Sequence, residues 1–214
     1  MSNPPEMALK SATAPIYFGS FLVTPQVCPL SPSTLPPLTN QPKKQVFYKT
    51  PLSFALVNLK PILPGHVLIS PLRVVPRLCD LTPSETSDLF LTVRRVGRMV
   101  ERVYGAASLN IAIQDGVHAG QSVPHVHAHI LPRKARDLDH RGGTDAVYDM
   151  LDGEEGDIGR ALLRDSGGAT EEARKKRSEG FPVPDDEERK PRGEGEMVAE
   201  AEMLKGEMEG EPVE

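Results

Sequence analysis

The chain has 214 residues, a formal net charge of −5, no Trp and only two cysteines. This length fits one domain with additional segments, and so few cysteines exclude a disulfide scaffold and favour a reducing compartment. The sequence has no apolar run near the ~20 residues of a membrane span, and its first residues lack a secretory signal pattern. We therefore expect a cytoplasmic protein, with the nucleus as a second location, and no membrane partner.

Charge is divided unevenly along the chain. From Asp152 to Glu214 there are 20 acidic and 10 basic residues, which leaves the preceding part with a net charge of +5. The mildly basic part suits an anionic substrate, but its charge is too weak and dispersed to predict binding of nucleic acid. The acidic part has few apolar residues to bury, so we predict that residues 152–195 are disordered.

A proline-rich segment separates the first predicted elements. We expect a flexible N-terminus over 1–15, a strand from Tyr17 to Thr24, and a loop insertion over about 26–44 that contains five prolines. Apolar runs predict three further strands: Val46 to Lys49, Leu52 to Asn58 and His66 to Ser70.

A long helix is the clearest predicted element. Thr82 is the expected N-cap, followed by Pro83 at the first helical position and by Glu85 as the second member of a capping box. Apolar residues then recur at helical spacing for about five or six turns, up to Gly105.

The remaining elements complete an α+β fold. We predict strands from Ser108 to Gln114 and from His125 to Leu131, the second one ended by Pro132, and a short helix over 196–205 followed by a tail over 206–214. Strands, one long helix and more strands, in this order, favour an antiparallel sheet with the helix on one face. One domain over 16–151 would contain all of these elements except the C-terminal helix.

Three histidines at alternate positions, His125, His127 and His129, form the most informative motif of the chain. The neighbouring residues are small or apolar, which favours a strand and places the three imidazoles on one face, roughly 7 Å apart. Burying three unpaired polar rings for a purely structural role would be costly, so a functional role is favoured.

One chemistry for this motif is phosphoryl or nucleotidyl transfer, because a neutral imidazole is a good nucleophile near neutral pH. Gln114, Gln121 and Ser122 would supply hydrogen bonds to phosphate oxygens, and Gly116 and Gly120 would let the loop backbone approach a phosphate.

The other chemistry is metal binding, since alternate histidines on a strand can present zinc ligands. Asp115 is the only acidic residue between Asn110 and Arg136, so carboxylates to support such a site are scarce. The residues by themselves leave metal and phosphate chemistry equally open.

The segment QSVPHVHAHIL at 121–131 resembles the histidine triad motif. Four flanking segments are similar to the fragile histidine triad branch, which comprises the dinucleoside triphosphate hydrolases: LSFALVN at 52–58, PGHVL at 64–68, QDG at 114–116 and LPRKA at 131–135. The resemblance covers about residues 17–25 and 46–150, with a weaker similarity at 196–204. Pro132 and Arg133 stand where the phosphoramidase branch has two glycines.

The resemblance implies a histidine triad fold, with a five-stranded antiparallel sheet in each subunit of a homodimer. It also implies that diadenosine triphosphate is hydrolysed to AMP and ADP. His127 would attack the α-phosphorus to form a nucleotidyl-histidine, which water then hydrolyses. A divalent cation, Mg²⁺ or Mn²⁺, would be carried by the substrate phosphates, without a fixed protein metal site.

The resemblance also assigns roles to residues around His127. The carbonyl of His125 would orient the His127 ring, and His129 would contact phosphate oxygens. The remaining implied roles are phosphate contacts for Gln114 and Gln121, a ribose contact for Asn58, support of the triad for His66, and apolar walls of the base pocket for Phe18 and Val23.

Two other functions remain open at this stage. The first is a nucleoside phosphoramidase or adenylylsulfatase of the same superfamily, which would use the same nucleophile. The second is a nucleotide-bound signalling module, for which the proline-rich insertion and the acidic segment would be partner surfaces.

Overall fold

A computed structural model of the chain describes residues 15–19, 21–23, 45–152 and 192–212. It contains β1 (Tyr17–Phe18), β2 (Phe21–Leu22), β3 (Val46–Lys49), β4 (Ser53–Val57), β5 (Val67–Pro71), α1 (Pro83–Tyr104), β6 (Ser108–Ile113), β7 (Ala128–Arg133), α2 (Ala146–Asp152) and α3 (Glu194–Glu209). Strands β3 to β7 form one sheet in the order β3-β4-β5-β7-β6, and all neighbours are antiparallel. The predicted α+β class with a five-stranded antiparallel sheet is confirmed.

Helix α1 begins as the capping box predicts. The side chain of Thr82 accepts a hydrogen bond from the main-chain N–H of Glu85, and Glu85 accepts one from the N–H of Thr82 in return. The helix ends at Gly105, whose φ of 58° is the left-handed conformation that glycine adopts without strain. Its apolar face packs on β4, β5 and β7 through the buried residues Leu89, Val93, Val96, Met99 and Val100.

Helix α3 is longer than predicted at both ends, since the expected helix covered 196–205 and the expected tail began at 206. It packs on β3, β4 and α1 through four buried apolar residues, Met197, Ala201, Leu204 and Met208. Arg192 and the first turn of α3 lie inside the segment predicted to be disordered, but they are part of the described structure. The C-terminal helix therefore completes the main core.

Helix α2 was not predicted. It is only seven residues long and follows two glycines, so its sequence lacks the repeated apolar spacing that makes α1 recognisable. It closes a second, smaller core formed by Ile62, Leu131, Leu138, Val147, Met150 and Leu151.

The predicted strand from Tyr17 to Thr24 is wrong. Among the residues that the structure describes, strands β1 and β2 pair only with each other, in a small hairpin whose turn contains Gly19 at a φ of 58°. This glycine allows a tight turn, because a residue without a Cβ adopts the left-handed conformation at little steric cost.

The predicted strand from His125 to Leu131 is displaced. Strand β7 begins at Ala128, because the preceding N–H groups bond elsewhere: that of His125 to the carbonyl of Val123, and that of Val126 to the carbonyl of Val75. The strand also continues through Pro132 to Arg133, opposite Leu109 and Ser108 of β6.

Most residues of the predicted flexible N-terminus, the whole proline-rich insertion over 26–44 and most of the acidic segment lie outside the described residues. Among the helices that the structure describes, none is both long and apolar enough to cross a membrane.

Candidate active site

The three histidines of the motif meet at the start of β7, but they do not form a row on one strand. Only His129 lies in β7, while His125 and His127 precede it. All three are buried, and the ring centroids of His127 and His129 are 5.0 Å apart, closer than the strand spacing predicts. The predicted placement of all three rings on one strand is therefore wrong, and each ring has its own set of partners.

His127 has a defined neutral form. Its Nδ1 lies 2.7 Å from the main-chain carbonyl oxygen of His125. Because a carbonyl only accepts hydrogen bonds, Nδ1 carries the proton and Nε2 carries the lone pair. Burial lowers the pKa of His127, so the ring is uncharged near neutral pH. Nε2 is buried without a hydrogen-bond partner among the described residues, so none of these residues uses its lone pair.

His129 has the opposite proton arrangement, and His66 sets it. The N–H of Ile62 donates to Nδ1 of His66 at 3.2 Å, so the proton of His66 is on Nε2. That Nε2 donates to Nδ1 of His129 at 2.9 Å, which leaves the proton of His129 on its Nε2. Burial, followed by the nearby His127 and His66, lowers the pKa of His129 well below its ordinary value. The site therefore presents an N–H donor beside the lone pair of His127.

Asn58 lies behind this pair, at the end of β4. Its side chain is fully buried, with Nδ2 3.2 Å from Nδ1 of His66 and Oδ1 accepting from the N–H of Lys60 at 3.1 Å. In this structure the amide supports His66, and the ribose contact stays a prediction.

His125 has no ring nitrogen left for a ligand. Its Nε2 donates to the carbonyl of Pro71 at 2.9 Å, and its Nδ1 accepts from the N–H of Gly19 at 3.0 Å. Burial, mainly, lowers its pKa to about 4. This side chain ties the β1–β2 hairpin to the end of β5, a role that the sequence spacing did not indicate.

Two glutamines hold the loop between β6 and β7. Gln121 accepts from the N–H of Gly116 at 2.9 Å and donates to the carbonyl of Pro76 at 2.8 Å. Gln114 donates to the carbonyl of Leu151 at 3.1 Å. Both side chains are nearly buried, while the neighbouring Ser122 is half-buried. Both amides bind protein backbone here, and their phosphate contacts stay predictions.

An ion pair that sequence reasoning missed fixes the start of this loop. Asp115 accepts from Arg77 at 3.1 and 3.2 Å and from the N–H of Leu78 at 2.9 Å. Hydrogen bonds from Arg77, first, and from Leu78 lower the pKa of Asp115. The partners lie 37 and 38 residues away in the chain, so no local motif could reveal them.

The predicted apolar walls lie at the N-terminal hairpin. The ring of Phe18 is fully buried and meets that of His127 edge-on, with centroids 5.2 Å apart. Val23 is also buried, and its N–H donates to the carbonyl of Ile16. Phe18 thus gives the nucleophile an apolar neighbour, and the base contacts of both residues stay predictions.

Within the described residues, no group of three or more His, Cys, Asp or Glu side chains is arranged to hold a metal ion. The hydrogen bonds of the triad give a physical reason for this. His125 uses both ring nitrogens and His129 presents a proton, so Nε2 of His127 is the one triad nitrogen with a lone pair available.

Comparison with known proteins agrees with this site. The HIT domain family matches residues 39–136. The chain is 52% identical over 143 residues to a bis(5'-nucleosyl)-tetraphosphatase [asymmetrical] of Schizosaccharomyces pombe, covering 67% of this chain and 77% of that protein. The chain therefore belongs to the histidine triad family. More narrowly, its relatives fit the fragile histidine triad branch that the sequences flanking the triad indicate.

Two further similarities cover less of the other protein. A bifunctional bis(5'-adenosyl)-triphosphatase/adenylylsulfatase of Arabidopsis thaliana is 55% identical over 119 residues, which are 56% of this chain and 64% of that protein. The crystal structure of the NitFhit protein of C. elegans superposes with a TM-score of 0.57 and 32% identity, covering 92% of this chain but 31% of that one. The chain thus spans less than two thirds of each of these two proteins.

Proposed function

We propose that this protein hydrolyses diadenosine triphosphate to AMP and ADP through a covalent nucleotidyl-histidine at His127. One observation carries the proposal: the unprotonated Nε2 of His127 lies in a buried ring next to the N–H donor of His129. A nucleophile and a donor at adjacent positions suit a reaction in which a phosphorus atom is attacked while its oxygens gain charge. The names of the Arabidopsis and fission yeast relatives support a dinucleoside polyphosphate as substrate.

The reaction has two steps. First, the lone pair of His127 Nε2 forms a bond to the α-phosphorus, and the bond to the bridging oxygen breaks, so that ADP leaves with that electron pair. The hydrogen bond from Nδ1 to the carbonyl of His125 stabilises the positive charge that the attacking ring acquires. Water then attacks the same phosphorus, the phosphorus–nitrogen bond breaks, and its electron pair returns to Nε2. One proton of the water passes to solvent, which leaves neutral His127 and AMP.

A divalent cation assists this reaction in our proposal. Mg²⁺ or Mn²⁺ would enter with the substrate and neutralise part of the charge of its phosphates, because Mg²⁺ is commonly held by substrate phosphates in such sites. The protein would then contribute orientation and hydrogen bonds. The mildly basic residues 1–151, with their net charge of +5, favour attraction of the anionic complex.

A second candidate reaction is hydrolysis of adenosine 5'-phosphosulfate, which the name of the Arabidopsis relative favours. The same nitrogen would attack the phosphorus of the AMP group, and sulfate would leave instead of ADP. Because the covalent intermediate is identical, the two reactions differ only in the leaving group that the site accepts.

Product analysis with parallel substrates tests both proposals. Purified protein with Mg²⁺ is incubated with diadenosine triphosphate, diadenosine tetraphosphate, adenosine 5'-phosphosulfate or adenosine phosphoramidate, and products are separated by chromatography. We expect AMP and ADP from the triphosphate at the highest rate, and a loss of at least about 10³-fold for His127→Ala, because no other group replaces the nucleophile. Intact cleavage by His127→Ala would disprove the assignment.

Rapid acid-free quenching tests the intermediate itself. With substrate labelled in the adenosine group, we expect label covalently bound to the wild-type protein and absent from the His127→Ala variant. Faster hydrolysis of the tetraphosphate, the phosphosulfate or the phosphoramidate would keep the nucleophile but reassign the substrate.

We also propose that two copies of the chain pair through β6. This strand lies at the sheet edge, and its residues are exposed or half-buried, whereas those of β4, β5 and β7 are all buried. Its Ile111 is 50% exposed, and helix α1 exposes two further large apolar side chains, Phe90 and Leu91. An apolar edge strand is a favourable surface for pairing with a second copy.

A further inference from the structure

The proton arrangement of His129 depends on the connection between β4 and β5, residues 58–66. The N–H of Ile62, which donates to Nδ1 of His66, and the amide of Asn58, whose Nδ2 lies 3.2 and 3.4 Å from the two nitrogens of the His66 ring, both belong to this connection. If they moved away, His66 could place its proton on Nδ1, and the proton of His129 would no longer be directed to Nε2. A group that holds this connection in place therefore also keeps the donor proton on Nε2 of His129.

Arg192 binds the start of the connection from the far end of the chain. Its main-chain N–H donates to the carbonyl of Leu59 at 3.1 Å, and its Nη2 donates to the carbonyl of Asn58. Arg192 precedes α3 and is 134 residues from Asn58 in the sequence. These two bonds hold the carbonyls of two successive residues, the first of which carries the Asn58 side chain.

The guanidinium is itself held in place. Its Nη1 lies 2.6 Å from Oε2 of Glu200 on α3, and Oε1 of Glu200 accepts from the hydroxyl of Tyr104 at 2.7 Å. Both members of the ion pair are largely buried, with side-chain exposures of 20% and 14%. The ring of Tyr104 also packs against Gly65, since a Cβ added there would lie 2.6 Å from its Cδ2. One polar cluster thus contacts both ends of the connection.

We propose that Arg192 is a positioning residue of the active site. By holding the carbonyls of Asn58 and Leu59, it keeps the N–H of Ile62 on Nδ1 of His66 and the Asn58 amide against the same ring, and so keeps the proton of His129 on Nε2. Glu200 and Tyr104 orient Arg192, so the C-terminal helix takes part in setting the active-site donor. The effect on the reaction rate rests on the proposed function, but the effect on the tautomer does not.

Nitrogen NMR of the histidine rings tests this directly in the full-length protein without substrate. In ¹⁵N-labelled wild type we expect Nε2–H forms of His66 and His129 and the Nδ1–H form of His127. Arg192→Met removes the guanidinium, with its bond to the Asn58 carbonyl and its ion pair with Glu200, but leaves the main-chain bond to Leu59. In this variant we expect the Nδ1–H form of His129 to reach roughly half of the population, because the groups that select the Nε2–H form are no longer held in place.

Arg98→Met is the matched control. Arg98 donates to Glu211, which follows α3, so its loss also weakens the attachment of the C-terminal segment. None of the contacts found for Arg98 in the described residues involves the connection, and we expect the wild-type tautomers to persist. An equal change in both arginine variants would show general loosening and overturn the proposal, as would wild-type tautomers in Arg192→Met.

Kinetics with diadenosine triphosphate give the second readout. We expect Arg192→Met to lower kcat about twofold, in proportion to the lost Nε2–H form of His129, with KM nearly unchanged, because the donor acts mainly on charge that develops in the transition state. Arg192→Lys, which keeps one donor, should recover most of kcat. An unchanged kcat in Arg192→Met would overturn the proposal.

Two safeguards keep the test decisive. If Arg192→Met does not fold, Glu200→Gln is the alternative variant, because it removes the ion pair while Arg192 remains. We then expect a smaller change of the His129 tautomer in the same direction. No change in this variant would overturn the proposal. If His127→Ala retained full activity, the proposed function would fail, but the NMR result on Arg192 would still decide whether it positions His129.

Discussion

At the scale of residues, three histidines of one motif have three different hydrogen-bonding states. His125 uses both nitrogens within the protein, His127 keeps a lone pair and His129 presents an N–H. Burial alone would make all three neutral, so the difference arises from the partner of one nitrogen in each ring. The chemistry of the motif is therefore decided by carbonyls and N–H groups outside it.

The depressed pKa of His125 predicts a pH-dependent stability. Its folded-state value is about 4 against an ordinary 6.5. Protonation therefore favours the unfolded chain, and the stabilisation is complete above pH 6.5 and declines as the pH falls toward 4. Between pH 7.5 and 4.5 we expect wild type to lose about 2.5 kcal/mol more than His125→Gln, which has no group to titrate there.

Urea unfolding at several pH values, monitored by circular dichroism, measures this difference. The variant is expected to be less stable than wild type at pH 7.5, because the N–H of Gly19 and the carbonyl of Pro71 lose their partner. Only the change with pH bears on the pKa. Parallel pH profiles for the two proteins would contradict the prediction.

The sequence predicted which residues belong to the candidate site, but not the protonation of their rings. The resemblance of the motif and its flanks to the histidine triad family singled out His127 as nucleophile, and it predicted that His66 supports the triad and that Asn58 contacts the ribose. The proton positions could not be predicted, because they depend on the N–H of Ile62 and on the carbonyl of His125. Main-chain groups are nearly the same in every residue type, so the sequence does not show which of them bonds to a ring. The role of Arg192 was also inaccessible, since its partner Asn58 is 134 residues away.

At the scale of elements, the turn before β5 brings the backbone of Gly65 into close contact with the ring of Tyr104. Gly65 has a φ of 82° and lies against the ring of Tyr104, whereas Gly105 has a φ of 58° and open space around it. We expect Gly105→Ala to cost about 1 kcal/mol from backbone strain alone. Gly65→Ala should cost about 3 kcal/mol, because the ring must also move.

Chemical denaturation of the two alanine variants measures both costs under identical conditions. The pair is matched, since each change adds one methyl group at a left-handed position. Equal destabilisation would show that the contact with Tyr104 contributes nothing and would refute the packing argument.

Elements were predictable where the sequence carries local signals. Helix α1 has a capping box, a long apolar repeat and a terminal glycine, and all three act within the helix itself. Strand β7 was misplaced because its start depends on where the N–H of Val126 bonds, which is Val75 in a distant segment. Helix α2 was missed because its stability comes from tertiary packing on residues such as Ile62 and Leu131.

At the scale of the whole molecule, the edge strand β6 predicts a homodimer. Ile111→Lys places a charge in the middle of this strand, and we expect it to shift the protein from dimer to monomer. Val74→Lys is the control, because Val74 is similarly exposed at 46% but lies outside the sheet. Analytical ultracentrifugation at several concentrations gives the masses. A monomeric wild type at tens of micromolar, or loss of the dimer in both variants, would refute pairing through β6.

The shielded position of His127 Nε2 has a consequence for the timing of the reaction. On the proposed mechanism, a nitrogen buried from solvent would reach the phosphorus of a dinucleotide only after a local movement of its neighbours, an opening of the site. On the proposed mechanism, the same opening would admit the water that ends the covalent stage, since the closed site excludes it. The time that the protein spends carrying a nucleotide would then be set by the frequency of this motion. The intrinsic lability of the phosphorus–nitrogen bond would matter only once the site is open.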